Sequence, residues 1–166
     1  MHGQKFFEQQ LSAGQKAERI VKSTLENYYL CEVIDIADKN IGYDFIIKQP
    51  NGYEFKADIK HTVQWPNVGI DVKESVILSS TSADMWIFFC DTVNYGHSTY
   101  KYLFIETAAL KDLITNHKQL LSFGFFNNPN NPLETWWHID YKLLREFCYE
   151  KGYYCQYRQM LDSVVE

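Results

Sequence analysis

Asp44-Phe-Ile-Ile-Lys-Gln-Pro-Asn-Gly-Tyr-Glu-Phe-Lys-Ala-Asp58-Ile-Lys60 is a strand, a turn and a second strand. From Tyr53 the residues alternate strictly. Tyr53, Phe55, Ala57 and Ile59 share one face, and Glu54, Lys56, Asp58 and Lys60 the other. The loop decides what meets Asp58 and Lys60. With a three-residue loop, Pro50-Asn51-Gly52, Gln49 pairs with Tyr53 and Asp44 lies opposite Asp58 on the same face. With a two-residue Asn51-Gly52 turn, Asp44 lies opposite Ile59 on the other face. Both loops suit the sequence, and a bulge beside Asp44 rescues a shared site in either. Two carboxylates converging with a lysine are what a Mg²⁺ ion and a phosphodiester require. The rival explanation is a solvated sheet face with cross-strand ion pairs.

Working outward, residues 12–28 read as a helix with Ser12 as N-cap and an apolar stripe of Ala13, Ala17, Ile20, Val21, Thr24, Leu25 and Tyr28. A strand over 29–36 and a turn over 38–42 precede the hairpin, whose strands span 44–49 and 53–61. Residues 62–73 read as irregular, with an extended piece at 68–72, and 79–84 as a short helical turn. Met85-Trp-Ile-Phe-Phe-Cys90 is continuously apolar, as a central strand covered on both faces should be. Across a polar loop, 91–100, it pairs with 101–106. Thr107 caps a helix to about Lys118, 127–132 is a loop, and 136–139 is a strand. Asp140 caps a helix to about Lys151 that Gly152 closes. The last residues are weakly specified. The pattern is an α/β mixed sheet flanked by helices.

The 166 residues are long enough for one domain with a substantial core. Tyr 12, Phe 11 and Trp 4 supply large apolar side chains whose first use is packing, though aromatics also stack on bases. A net charge of -5 argues against tight non-specific nucleic-acid binding, yet metal-binding carboxylates themselves add such charge. Cys31, Cys90, Cys148 and Cys155 lack zinc-site spacing, and Cys31 and Cys90 fall in strand-like runs as small core residues. No signal peptide opens the sequence, and no stretch approaches the roughly 20 apolar residues of a membrane span. The expectation is a cytoplasmic protein without membrane contact.

The helix carrying Glu18, then Gly42-Tyr-Asp44, then Asp58-Ile-Lys60 resembles the PD-(D/E)xK nuclease superfamily, whose αβββαβ core residues 12–90 follow in order. Thr81-Ser-Ala-Asp84 leading into Met-Trp-Ile-Phe-Phe also resembles its small phage-type members. The resemblance covers roughly the first two thirds of the sequence and stops before Phe123. It implies a restriction-endonuclease-like fold and a single nuclease-like domain over 1–166, with a core of about 12–119 and a strand-helix extension of about 123–166. It implies Asp44 and Asp58 as metal ligands, joined by the backbone carbonyl of Ile59. Lys60 would orient or activate the attacking water or stabilise charge on the phosphate. Glu18 would reach the ion directly or through a water. The cofactor implied is Mg²⁺, with Mn²⁺ as a substitute.

Departures are visible. Tyr43 stands where the family's Pro would be, and Asp58 replaces the commoner Glu of the last triad. A Glu often follows that triad by about a dozen residues in the phage-type branch; Asp71 and Glu74 are the candidates here. Lys56 and Lys73 could contact a nucleic-acid backbone or be ordinary surface lysines. Glu54 faces solvent, and His61 could assist proton transfer or be incidental. Trp136 and Trp137 pack on the last helix or stack on bases. His97, His117 and His138 have no evident sequence partners. The expected activity is Mg²⁺-dependent hydrolysis of phosphodiester bonds, foremost in DNA, by a chain that could act as a homodimer. The alternative is a non-catalytic binding or inhibitor protein of nucleic-acid machinery built on the same scaffold.

Overall fold

The structure, a computed structural model, describes residues 2–39, 41–79, 83–124, 130–131 and 134–161. A helix α1 (His2–Asn27) leads into strands β1 (Glu32–Asp35), β2 (Phe45–Lys48) and β3 (Glu54–His61). Then come β4 (Gly69–Lys73), a one-turn α2 (Glu74–Ile77), and the hairpin β5 (Met85–Asn94) and β6 (His97–Glu106). Helix α3 (Thr107–Asn116), β7 (Ser122–Phe123), β8 (Trp136–Asp140), α4 (Tyr141–Lys151) and β9 (Cys155–Leu161) complete the described elements. Two sheets result. The larger has order β1-β2-β3-β5-β6-β9 and the smaller β4-β8-β7. Every pairing in the larger sheet is antiparallel except β3 with β5, so that sheet is mixed.

The continuous apolar run from Met85 explains the layering. Ile87 and Phe89 face α1, whose Ala17, Ile20, Val21 and Leu25 also cover Phe45, Ile47, Phe55, Ala57 and Ile59. Trp86 and Phe88 face the opposite side, under Ile70 and Val72 of β4, Leu110 and Leu113 of α3, and Leu144 of α4. A strand buried on both faces has no polar face to alternate. Inside the first layer the Tyr102 hydroxyl meets Thr24 Oγ1 at 2.5 Å, which satisfies two buried polar groups together.

Several sequence expectations need correction. The first helix starts at His2, so Ser12 lies inside it; Gln, Lys, Glu and Leu in 4–11 are all good helix formers. The expected first strand is shorter, because Leu30 takes a positive φ of 57° just ahead of it. The polar segment 91–100 is mostly strand, turned by Tyr95 and Gly96 at φ 52° and 78°, two positive values in succession as a tight hairpin demands. Glu106, not Thr107, sits at the N-cap of α3, and no side-chain cap bond is made there. Asp140 holds the N-cap position of α4, also without a side-chain cap bond. Of the helical turn expected at 79–84, residues 80–82 lie outside the described residues, and 79 and 83 are not helical. Of the loop expected at 127–132, only 130 and 131 are described. The C-terminal residues form β9, which extends the larger sheet beside β6, while β8 joins β4. The strand-helix extension is therefore woven into both sheets.

Candidate active site

Register comes first. Phe45 pairs with Ala57, and Lys48 with Glu54. Gln49 N–H donates to the Tyr53 carbonyl at 2.8 Å. This is the three-residue loop, and its ladder ends at Phe45/Ala57, with Asp44 in a bend just ahead of β2 that falls outside the register. The Asp44 backbone is fixed from both sides. Its N–H donates to the Ala57 carbonyl and its carbonyl accepts from Ile36 N–H, each at 2.9 Å. Its side chain therefore points at β3, where Oδ2 accepts the Ile59 N–H at 2.8 Å.

Asp58 departs from a simple solvated face. Lys56 and Lys60 on either side are exposed, yet Asp58 is 9% exposed. Burial first, and then a hydrogen bond to the Asp44 carboxyl, push Asp58 from 3.8 up to about 8, against the pull of Lys60 and of the Ile59 N–H. The Asp58 carboxyl thus faces that of Asp44. Lys60 Nζ lies 3.9 Å from Asp58 Oδ2 and 5.3 Å from the centre of the Trp86 ring. In a strand the N–H and C=O of one residue face the same neighbour. The Ile59 carbonyl therefore projects on the Asp44 side, beyond the end of the β2 ladder.

Glu18, on the α1 edge, completes the cluster. Burial raises it from 4.5 to about 7, Asp44 and then Asp35 add to the rise, and Lys60 opposes it. Asp35 is a neighbour that sequence reading missed. It ends β1 opposite Phe45, one step from Asp44. The only sequence hint was the position of an acid at a strand end two elements before Asp44. Four carboxyls around one ammonium make a site short of positive charge.

The other candidates divide. Asp71 Oδ1 is 3.2 Å from His138 Nδ1, and His138 Nε2 is 3.3 Å from Asp140 Oδ1. His138 thus has two partners that spacing along the chain gave no sign of. Glu74 is held by Lys118 at 2.9 Å, away from the cluster. His61 turns to Asp91 at 3.9 Å. Lys56 lies over the Tyr43 ring at 5.1 Å, and its N–H donates to Asp84 Oδ2 at 2.9 Å. Asp84 also accepts Thr107 N–H on its backbone oxygen, so it joins β3, β5 and α3. Trp137 stacks on Phe123, 5.2 Å between ring centres. Glu54 is exposed, as expected. A cleft of about 950 Å³ adjoins the cluster, lined by Lys60, Asp71, Lys73, Trp86 and Trp136 among others.

The donor set suits a hard divalent cation, since Mg²⁺ takes oxygen ligands and keeps several waters. Among the described residues, no group of three or more His, Cys, Asp or Glu side chains is placed to hold a metal ion. Two carboxylates and a backbone carbonyl form an open set of the kind Mg²⁺ uses. Also among the described residues, no helix is long and apolar enough to cross a membrane. No family model matches the chain, and neither a curated protein nor a solved structure does so.

Proposed function

We propose that the chain is a Mg²⁺-dependent nuclease of the PD-(D/E)xK type, with a restriction-endonuclease-like core, that hydrolyses phosphodiester bonds in DNA. One observation carries this reading. Carboxyls carried by neighbouring segments, Asp44 and Asp58, face one another beside the Lys60 ammonium, which also lines a cleft. The order β1-β2-β3-β5, with β3 and β5 parallel, supports it as well. Against the expected core, a strand and a single helical turn stand between β3 and β5 in place of a full helix.

When bound, the ion would supply Lewis-acid stabilisation and a more acidic water. Asp44, Asp58 and the Ile59 carbonyl would hold it. Lys60 would stabilise charge on the phosphoryl oxygens where water is partly excluded. Glu18, raised to about 7, is matched to accept or return a proton near neutral pH. Lys56 and Lys73 would contact the backbone on either side. Asp58→Ala and Lys60→Ala should each lower DNA cleavage in Mg²⁺ or Mn²⁺ by about a hundredfold or more, with the fold retained. Cleavage that survives both changes contradicts the assignment.

A second reading is a nuclease scaffold used for binding or inhibition, and the net charge of -5 favours it. Thermal melting against Mg²⁺ or Mn²⁺ separates the two. A native-state ion raises the melting temperature by mass action. No shift at millimolar metal, with no nucleic acid cleaved, selects the binding protein.

A further inference from the structure

The cleft beside Lys60 differs in kind from a surface that grips duplex DNA. Lys60 stands at the junction. Its ammonium is 3.9 Å from Asp58 and lies over the ring of Trp86, a core residue at the back of the cleft. A phosphate held by Lys60, and by the ion that Asp58 would ligate, would leave its neighbouring nucleoside above a largely apolar floor backed by Trp86, with Trp136 also lining the space. Apolar and aromatic walls suit a base face; phosphates want cations. In a duplex the base faces are stacked inside and unavailable.

Charge agrees. Among the described residues lining the cleft, Lys60 and Lys73 are the lysines, set against the carboxyl of Asp71, which is paired with His138, in a chain of net charge -5. Duplex DNA presents a phosphate every ~1.7 Å of axis, and proteins that track it neutralise several. Two lysines match two phosphates of a flexible strand. At about 950 Å³ the space is near the upper end of small-molecule clefts.

The cleft is also pre-formed. The segment bearing Val63 is tied down by Thr62 N–H to the Phe89 carbonyl at 2.8 Å. Thr62 Oγ1 donates to the Gln64 carbonyl at 2.8 Å, and Trp65 lies over the buried Lys101 ammonium. A wall fixed in this way keeps the space open without a ligand.

We infer that the cleft bordered by Lys60, Val63, Lys73 and Trp136 receives an unpaired nucleotide next to the scissile phosphate, so that the substrate is single-stranded DNA or a single-stranded end. This rests on the nuclease reading, and the test separates the two. Binding of an oligothymidylate of about ten nucleotides and of a blunt duplex would be compared by fluorescence anisotropy in Ca²⁺. Cleavage of both would be followed in Mg²⁺. The single strand should bind about tenfold tighter, with a slope of log K against log salt near -1.4, about 0.7 for each of two phosphates. Val63 is 92% exposed, so Val63→Asp adds charge to the wall without disturbing the core. It should weaken single-strand binding about tenfold, and Val63→Lys should not. Equal binding of duplex and single strand, or Val63→Asp without effect on the single strand, overturns the inference even where both DNAs are cleaved. Preferential single-strand binding with no cleavage supports the cleft and overturns the hydrolase reading alone.

Discussion

Asp58 concentrates the tension of the site. Buried at the end of an alternating strand, it keeps a proton that an exposed Asp would have released, with burial as the leading cause and Asp44 as the second. Glu18 behaves alike. The folded chain thus holds protons where the unfolded chain has lost them. The stability these groups contribute is complete below about pH 4. It is lost as pH rises through about 7 for Glu18 and about 8 for Asp58. In chelator, the denaturant midpoint should therefore fall between pH 5 and 9. Asp58→Asn, which keeps the shape without the charge, should flatten the alkaline part of that fall and stabilise the protein at pH 9 by roughly 1–3 kcal/mol. Superimposable profiles for the two proteins would show that Asp58 carries no such burden. That Asp44, Asp58 and Lys60 lie near one another was legible from strand alternation and chain order, and the family resemblance added Glu18. Asp35 and His138 were not legible, since their partners arrive by register and sheet pairing.

At the scale of elements, the β2-β3 hairpin makes the site. Its register follows from a loop of three residues, and Gly52 takes a φ of 88° within it, a conformation that glycine accepts without strain. A loop one residue shorter would turn Asp44 to the α1 side. Sequence left both possibilities open, because Asn-Gly is as good a two-residue turn as it is the end of a longer one. Packing decides: the observed register puts Phe45 and Ile47 into the core with Phe55 and Ala57. The smaller sheet depends on close approach. A Cβ at Gly69 would stand 2.7 Å from His138 Cε1 and 2.9 Å from Nε2, so β4 and β8 fit around that ring. Gly69→Ala should destabilise by about 1–3 kcal/mol. Much of that loss should vanish in a His138→Ala background, as a double-mutant cycle of chemical denaturation would measure. Purely additive losses would place the strain elsewhere. Two strands of the smaller sheet, β4 and β8, were legible as extended segments at 68–72 and 136–139, whereas their pairing, β7 and β9 were not, because short strands gain their identity from partners distant in sequence.

Across the whole molecule, the larger sheet separates two cores, and the carboxyl cluster lies where α1, the hairpin and the cleft meet. Metal and fold are then linked. A divalent ion at about a hundred times its Kd would add about 2.7 kcal/mol to the native state, roughly 5–10 °C in Tm for a chain of this size. The gain should grow from pH 6 to pH 8, because the ion competes with protons on Asp58 and Glu18. It should be absent in Asp58→Asn. A shift of equal size in that variant would locate the ion outside the cluster.

The most direct measurement is anomalous diffraction from crystals of the protein soaked in Mn²⁺. One peak is expected at about 2.0–2.5 Å from an oxygen of Asp44, an oxygen of Asp58 and the carbonyl of Ile59, with the hydrogen bond between the two carboxyls gone. Carboxyls still bonded to each other at saturating Mn²⁺, with no peak beside them, would contradict the account.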